Sequence, residues 1–223
     1  MAHSTLGWIQ AYNLDWQAAE ASQRKALSLE PGNATVQLQA GWLFAELGHL
    51  DEGLTLIDKA VALVPLQLRG HQFHALLLMS LGRYEDAEAS YRKTALLDSG
   101  AWMSSIGWAL MMQGKMDEAK KAIDSEPNEA WFLAYWYHRQ GQRDKAEAVT
   151  QRLETQFADQ MEAYYFAELH AFRGQDDLAF EWLDRALEKQ EPSVCDIKIS
   201  GDFRRLHGDP RYKAFLKKMK LPE

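Results

Sequence analysis

The chain has 223 residues, 47% of them hydrophobic and 26% charged, with a formal net charge of -7. That length and apolar content exclude disorder, and the acidic balance argues against nucleic acid as a partner. No apolar run reaches the roughly 18 residues of a membrane span, the first residues lack a secretory pattern, and the lone Cys195 rules out an internal disulfide or a thiolate-rich metal site.

Six helix pairs and a tail are expected in chain order. The first, about 1–33, carries Leu6-Gly7, Trp16, Ala19, Ala26 and Pro31, with Leu14 at its turn. The second, 34–67, carries Ala40-Gly41, Phe44, Gly48, Ala60 and Pro65. The third, 68–99, turns at Gly82-Arg-Tyr-Glu-Asp and holds His71 and His74. The fourth, 100–126, turns at Gly114-Lys-Met-Asp-Glu and is short, with Pro127 arriving early, so its second helix spans roughly 115–125. The fifth, 127–159, and the sixth, 160–192, turn at Gly141 and Gly174. Each glycine tolerates the left-handed backbone that ends a helix, and the acidic pairs that follow suit the positive end of the next one. In the tail, 193–223, Asp209-Pro210 supplies an N-cap and a first-turn proline. Tyr212, Phe215, Leu216 and Met219 then form one apolar stripe, expected to cap the exposed face of the last pair.

The turns recur at intervals of 34, 34, 32, 27 and 33 residues. Seven residues before them stand Gly7, Gly41, Ala75, Gly107, Ala134 and Ala167; five after stand Ala19, Gly53, Ala87, Ala119, Ala146 and Ala179. All are small, although Ala and Gly fill only 44 of the 223 positions. Facing small residues let paired helices approach closely. Period and columns together resemble the tetratricopeptide repeat (TPR) family over about residues 1–192. The resemblance implies an all-α fold: a right-handed α-solenoid of about six antiparallel helix pairs with a C-terminal capping helix.

In that family the first helices of the pairs line a concave groove. The side chains expected there are Trp8, Trp42, Leu76, Trp108 and Tyr135 six before the turns, Met79, Met111 and His138 three before, and Trp131 and Tyr164 ten before, with Arg69 and Arg139 as the basic candidates. An aromatic column is the composition that grips an extended segment or the apolar face of a helix, and Trp42, Trp108 and Tyr135 are its expected core. Packing between repeats is the alternative role for each ring. The Lys, Asn and Arg carboxylate clamp of the best-known family members is missing, which puts capture of an acidic chaperone tail in doubt.

No catalytic constellation stands out. His71 and His74 lie three apart without a completing ligand, phosphate loops and a GxSxG elbow are absent, and the acidic pairs recur with the repeat, as helix starts require. No cofactor is expected. The basic tail, with 8 Lys and Arg against 4 Asp and Glu, reads as a cap on an acidic array, with a basic partner-binding patch as the alternative.

Residues 178–187, followed by Pro192, Phe203, Leu206 and residues 209–216, with the opening 2–8, resemble the TPR regions of certain bacterial adenylate cyclases and winged-helix transcription regulators. The resemblance implies a non-catalytic module that binds a protein or peptide, the regulatory part of a larger bacterial signalling protein. The alternatives are a self-associating domain, hence a homo-oligomer, and a free-standing scaffold or assembly factor. Neither nucleic acid nor direct membrane contact is expected, and a cytoplasmic location is favoured over a periplasmic one.

Overall fold

A computed structural model describes residues 1–98, 102–126 and 130–222, with the backbone alone at Ala130. These residues are helical with no strand, the all-α helix-pair class that the sequence predicts. They group into two compact units.

The first unit contains α1 (Ala2–Tyr12), α2 (Trp16–Leu29), α3 (Ala34–Glu46), α4 (Leu50–Leu63) and α5 (Leu68–Ser80), together with residues 195–201 and 207–223. Side-chain oxygens start its helices where the sequence offers them. Asp15 accepts from the Ala18 amide, and Asn33 accepts from the amides of Thr35 and Val36. The small columns face each other as expected. A Cβ added to Gly41 would lie 2.7 Å from the Gly53 carbonyl, and one added to Gly53 would lie 2.5 Å from the Gly41 carbonyl.

The second unit contains α6 (Tyr84–Leu97), α7 (Met103–Met112), α8 (Met116–Asp124), α9 (Ala130–Arg139), α10 (Arg143–Phe157), α11 (Ala163–Arg173) and α12 (Asp176–Glu188), with residues 202–206. The predicted third pair is thus divided between the units. The short helix of the fourth pair is α8, inside its expected span; Pro127 lies outside the described residues. The close approach repeats at Gly107, where an added Cβ would lie 3.0 Å from the Ala119 carbonyl.

All five turn glycines have positive φ, between 70° and 94°, and Leu14 adopts the same conformation at 58° without glycine's freedom. The acidic pairs occupy the first turns of α4, α6, α8 and α12, as their spacing predicts.

The tail departs from expectation. Two 3-10 stretches, Pro192–Lys198 and Gly201–Gly208, precede α13 (Pro210–Lys218), whose capping by Asp209 and Pro210 is as predicted. Its stripe of Tyr212, Phe215, Leu216 and Met219 is buried, but in the first unit rather than as part of the last pair's unit. The physical reason is Trp16. Its buried indole N–H needs an acceptor, and the Met219 carbonyl at the end of α13 supplies one at 2.7 Å. Tyr212 also donates to the Ile197 carbonyl at 3.4 Å, which ties α13 to the preceding stretch.

Candidate functional site

The expected groove residues fall into both units, and five of the twelve are buried: Trp42, Met79, Met111, Tyr135 and Tyr164. Trp8, Leu76, Trp108, Trp131 and His138 are half-buried, while Arg69 and Arg139 are exposed.

In the first unit, Trp42 stacks on Phe73 with ring centroids 4.0 Å apart, and the Arg69 guanidinium lies 5.9 Å from the Phe73 ring. One turn along α3, Glu46 accepts a hydrogen bond from Trp42. Burial, then the neighbouring Asp196, pushes the Glu46 carboxyl well above the usual carboxylate range. The same surroundings push the Cys195 thiol up, through burial, Glu46 and Asp196, so a nucleophilic thiolate is disfavoured. Ser80 donates to the Ile199 carbonyl, and Lys198 donates to the Leu47 carbonyl at 3.2 Å. Residues 195–199 therefore sit over the C-terminal ends of α3 and α5.

In the second unit, the first helices of the pairs build a continuous aromatic cluster. Trp108 of α7 meets Phe132 of α9 at 6.0 Å, Phe132 meets Tyr135 at 6.3 Å, and Tyr135 meets Phe172 of α11 at 4.5 Å. Trp131 lies 5.4 Å from Phe166, edge to face, and 6.3 Å from Tyr165. His138 lies 5.5 Å from Phe172, and burial followed by the charges of Arg173, Arg143, Arg139 and Arg205 lowers its pKa. The imidazole is kept neutral at physiological pH.

Tail residues 202–206 are held on this cluster. Tyr135 donates its hydroxyl to Asp202 at 3.0 Å, and Phe203 packs edge to face on Tyr164 at 5.6 Å. Phe203 and Leu206 are fully buried, and Arg205 pairs with Asp176 at the start of α12 at 3.4 Å. Burial raises the Asp202 carboxyl to about 7, against the hydrogen bond from Tyr135 and the charge of Arg204. The Tyr135 hydroxyl is pushed well up as well, by burial, Asp202 and Glu168.

Trp42 and Tyr135 are therefore not open surface, as their column implied. The tail covers the ends of α3 and α5 beside Trp42, and Tyr135 is consumed by Asp202. Several important partners carry weak sequence signals. Phe73, Phe132 and Tyr165 all stand nine before their turns, a column that a wider search would find. Glu46 and Phe172 both stand two before their turns, but in a column of mixed residue types, and Asp202 and Phe203 lie outside the period. Two indole donors are buried without an acceptor among the described residues, Trp8 Nε1 and Trp108 Nε1.

The metal reading of the histidines meets other chemistry. His71 Nε2 lies 2.8 Å from the Pro65 carbonyl, and His74 Nε2 lies 2.8 Å from Asp58. Among the described residues no group of three or more His, Cys, Asp and Glu is placed to hold a metal, and no helix is long and apolar enough to cross a membrane.

Residues 4–67 and 74–130 match a family model for the tetratricopeptide repeat. The chain is 31% identical over 187 residues to cellulose synthase operon protein C of Xanthomonas axonopodis pv. citri (strain 306), covering 82% of this chain but only 11% of that protein. Among solved structures it resembles Pseudomonas aeruginosa pilF, with a TM-score of 0.57 at 17% identity over 97% of this chain and 96% of the other. It likewise resembles a tetratricopeptide repeat protein of Parabacteroides merdae ATCC 43184, with a TM-score of 0.56 at 16% identity over 99% and 93%. At such identities the structural likenesses speak for the fold alone.

Proposed function

The chain belongs to the tetratricopeptide-repeat family, whose members are in general non-catalytic protein-binding scaffolds, and from that premise we propose that its aromatic inner-helix face binds a peptide or helix of a partner protein. One observation carries the reading: in the second unit that face already grips a short segment, through Tyr135 on Asp202 and Tyr164 on Phe203. Aromatic side chains offer large contact area at small rotamer cost, and Trp and Tyr dominate the binding energy of characterised interfaces. Trp108 adds a half-buried ring to that surface. A setting within a bacterial signalling protein is supported by the sequence resemblance of residues 2–8, 178–187, Pro192, Phe203, Leu206 and 209–216.

The test is a capture of partners on the full chain, followed by titration of the recovered protein against wild type and Trp108→Ala. The variant should weaken binding by about 2 kcal/mol, roughly thirtyfold, with helical circular dichroism unchanged. Equal affinity with an intact fold would make the ring a structural packer and remove the reading.

A further inference from the structure

Residues 202–206, Asp-Phe-Arg-Arg-Leu, are grouped with the second unit, whereas the flanking stretches 195–201 and 207–223 belong to the first. Within that unit these five residues have the anatomy of a bound recognition peptide. Phe203 and Leu206, three apart on a 3-10 turn, are the buried anchors. Asp202 is fixed by the Tyr135 hydroxyl and Arg205 by Asp176, so a polar contact orients each end. Arg204 between them is exposed. The backbone at Gly174 leaves room for the arginine: a Cβ there would lie 2.3 Å from the Arg205 guanidinium.

The occupant leaves binding surface unused. Tyr165 is 40% exposed and Trp131, Phe132 and Trp108 are half-buried, so aromatic area continues around the segment. Holding Asp202 on this face also costs desolvation of a carboxylate.

We propose that the face formed by α9, α11 and the start of α12 is a recognition site for an acid–aromatic–x–arginine–leucine segment, that this chain's own residues 202–206 occupy it, and that a partner protein bearing a segment of this chemistry displaces them. The inference rests on the protein-binding reading above and names its ligand class. A partner segment that extends over the exposed and half-buried rings around the tail's footprint gains contact area there, so it outcompetes a tethered rival without a new site being built.

The probe is a fluorescein-labelled peptide reproducing residues 199–208, titrated by anisotropy into the full chain. Phe203→Ala in the protein empties the aromatic anchor position, so the variant should bind the peptide at least tenfold more tightly than wild type. Replacing phenylalanine or aspartate in the peptide by alanine should abolish that gain. A folded variant that binds the peptide no better than wild type overturns the proposal.

A second measurement avoids any dependence on that variant's folding. A peptide with benzoyl-phenylalanine at the Phe203 position is photo-crosslinked to excess wild-type protein. Crosslinks should map to α9 and α11; none, or crosslinks elsewhere, overturn the site. Light scattering of wild type over a concentration series should give a monomer throughout, whereas a dimer lost in Phe203→Ala would assign the site to a second copy and overturn the partner. If the peptide fails yet a captured protein still depends on Trp108, the ligand chemistry falls while the protein-binding reading stands.

Discussion

Asp202 is costly to bury, and the cost depends on pH. Burial raises its carboxyl from the ordinary 3.8 to about 7, against the hydrogen bond from Tyr135 and the charge of Arg204. The docked state therefore favours the protonated acid. Its contribution is fully present below about pH 4, declines as pH rises through 7, and is level beyond. Asp202→Asn keeps an acceptor for the Tyr135 hydroxyl and removes the ionisation. The variant should be more stable than wild type at pH 8 by about 1–2 kcal/mol, and little changed at pH 4, by urea titration. A difference independent of pH would contradict the assignment. Glu46, whose carboxyl is also pushed up, should leave a residual slope of the same sign.

Other single residues show how burial and hydrogen bonding sort the tryptophans. Trp16 and Trp42 are buried, one donating to Met219 and the other to Glu46, whereas Trp136 donates to the Met116 carbonyl at 3.0 Å and Trp102 to Asp98 at 2.9 Å. Trp182 is sandwiched, stacking on Phe166 at 4.6 Å with the Arg185 guanidinium 4.2 Å from its ring. Position in a repeat column did not decide these roles. The nearest unsatisfied polar group did, and that depends on three-dimensional neighbours which a one-dimensional pattern does not carry.

At the scale of elements, the helix pair was almost wholly legible. The turn glycines, the acidic first turns and the facing small columns are local or periodic, so the same signal is repeated along the chain. The close approach of α3 and α4 gives a sharp prediction. Gly53→Ala places a methyl against the Gly41 carbonyl and should cost about 2–3 kcal/mol, as overpacking does. Gly141→Ala has open space around it and only a positive φ to suffer, so its cost should be about 1 kcal/mol. Urea midpoints that rank the two the other way would contradict the packing account. What the pattern could not supply was the destination of α13. Its stripe announces a buried face, but only the Trp16 indole and its need for an acceptor say which helices bury it.

For the whole molecule, the repeat turns a chain of ordinary composition into helix pairs in each of two units, with aromatic side chains recurring on the first helices of the pairs. The tail converts part of that chemistry from open surface into occupied site. Its basic surplus reads as attraction to an acidic array, yet the contacts that seat it are mixed: Lys198 on a backbone carbonyl, Arg205 on Asp176, and Phe203 and Leu206 buried. The candidate binding residues were legible as an aromatic column, because the period marks them. That the column is partly covered was not, since the covering residues follow no period and lie far along the sequence.

Amide hydrogen exchange across residues 202–206 of the full chain, alone and saturated with the captured partner, tests the central claim most directly. The account predicts that these amides exchange faster when the partner is bound, while those of α9 and α11 are unchanged or slower. Residues 202–206 that stay as protected in the complex as in the free chain would contradict it.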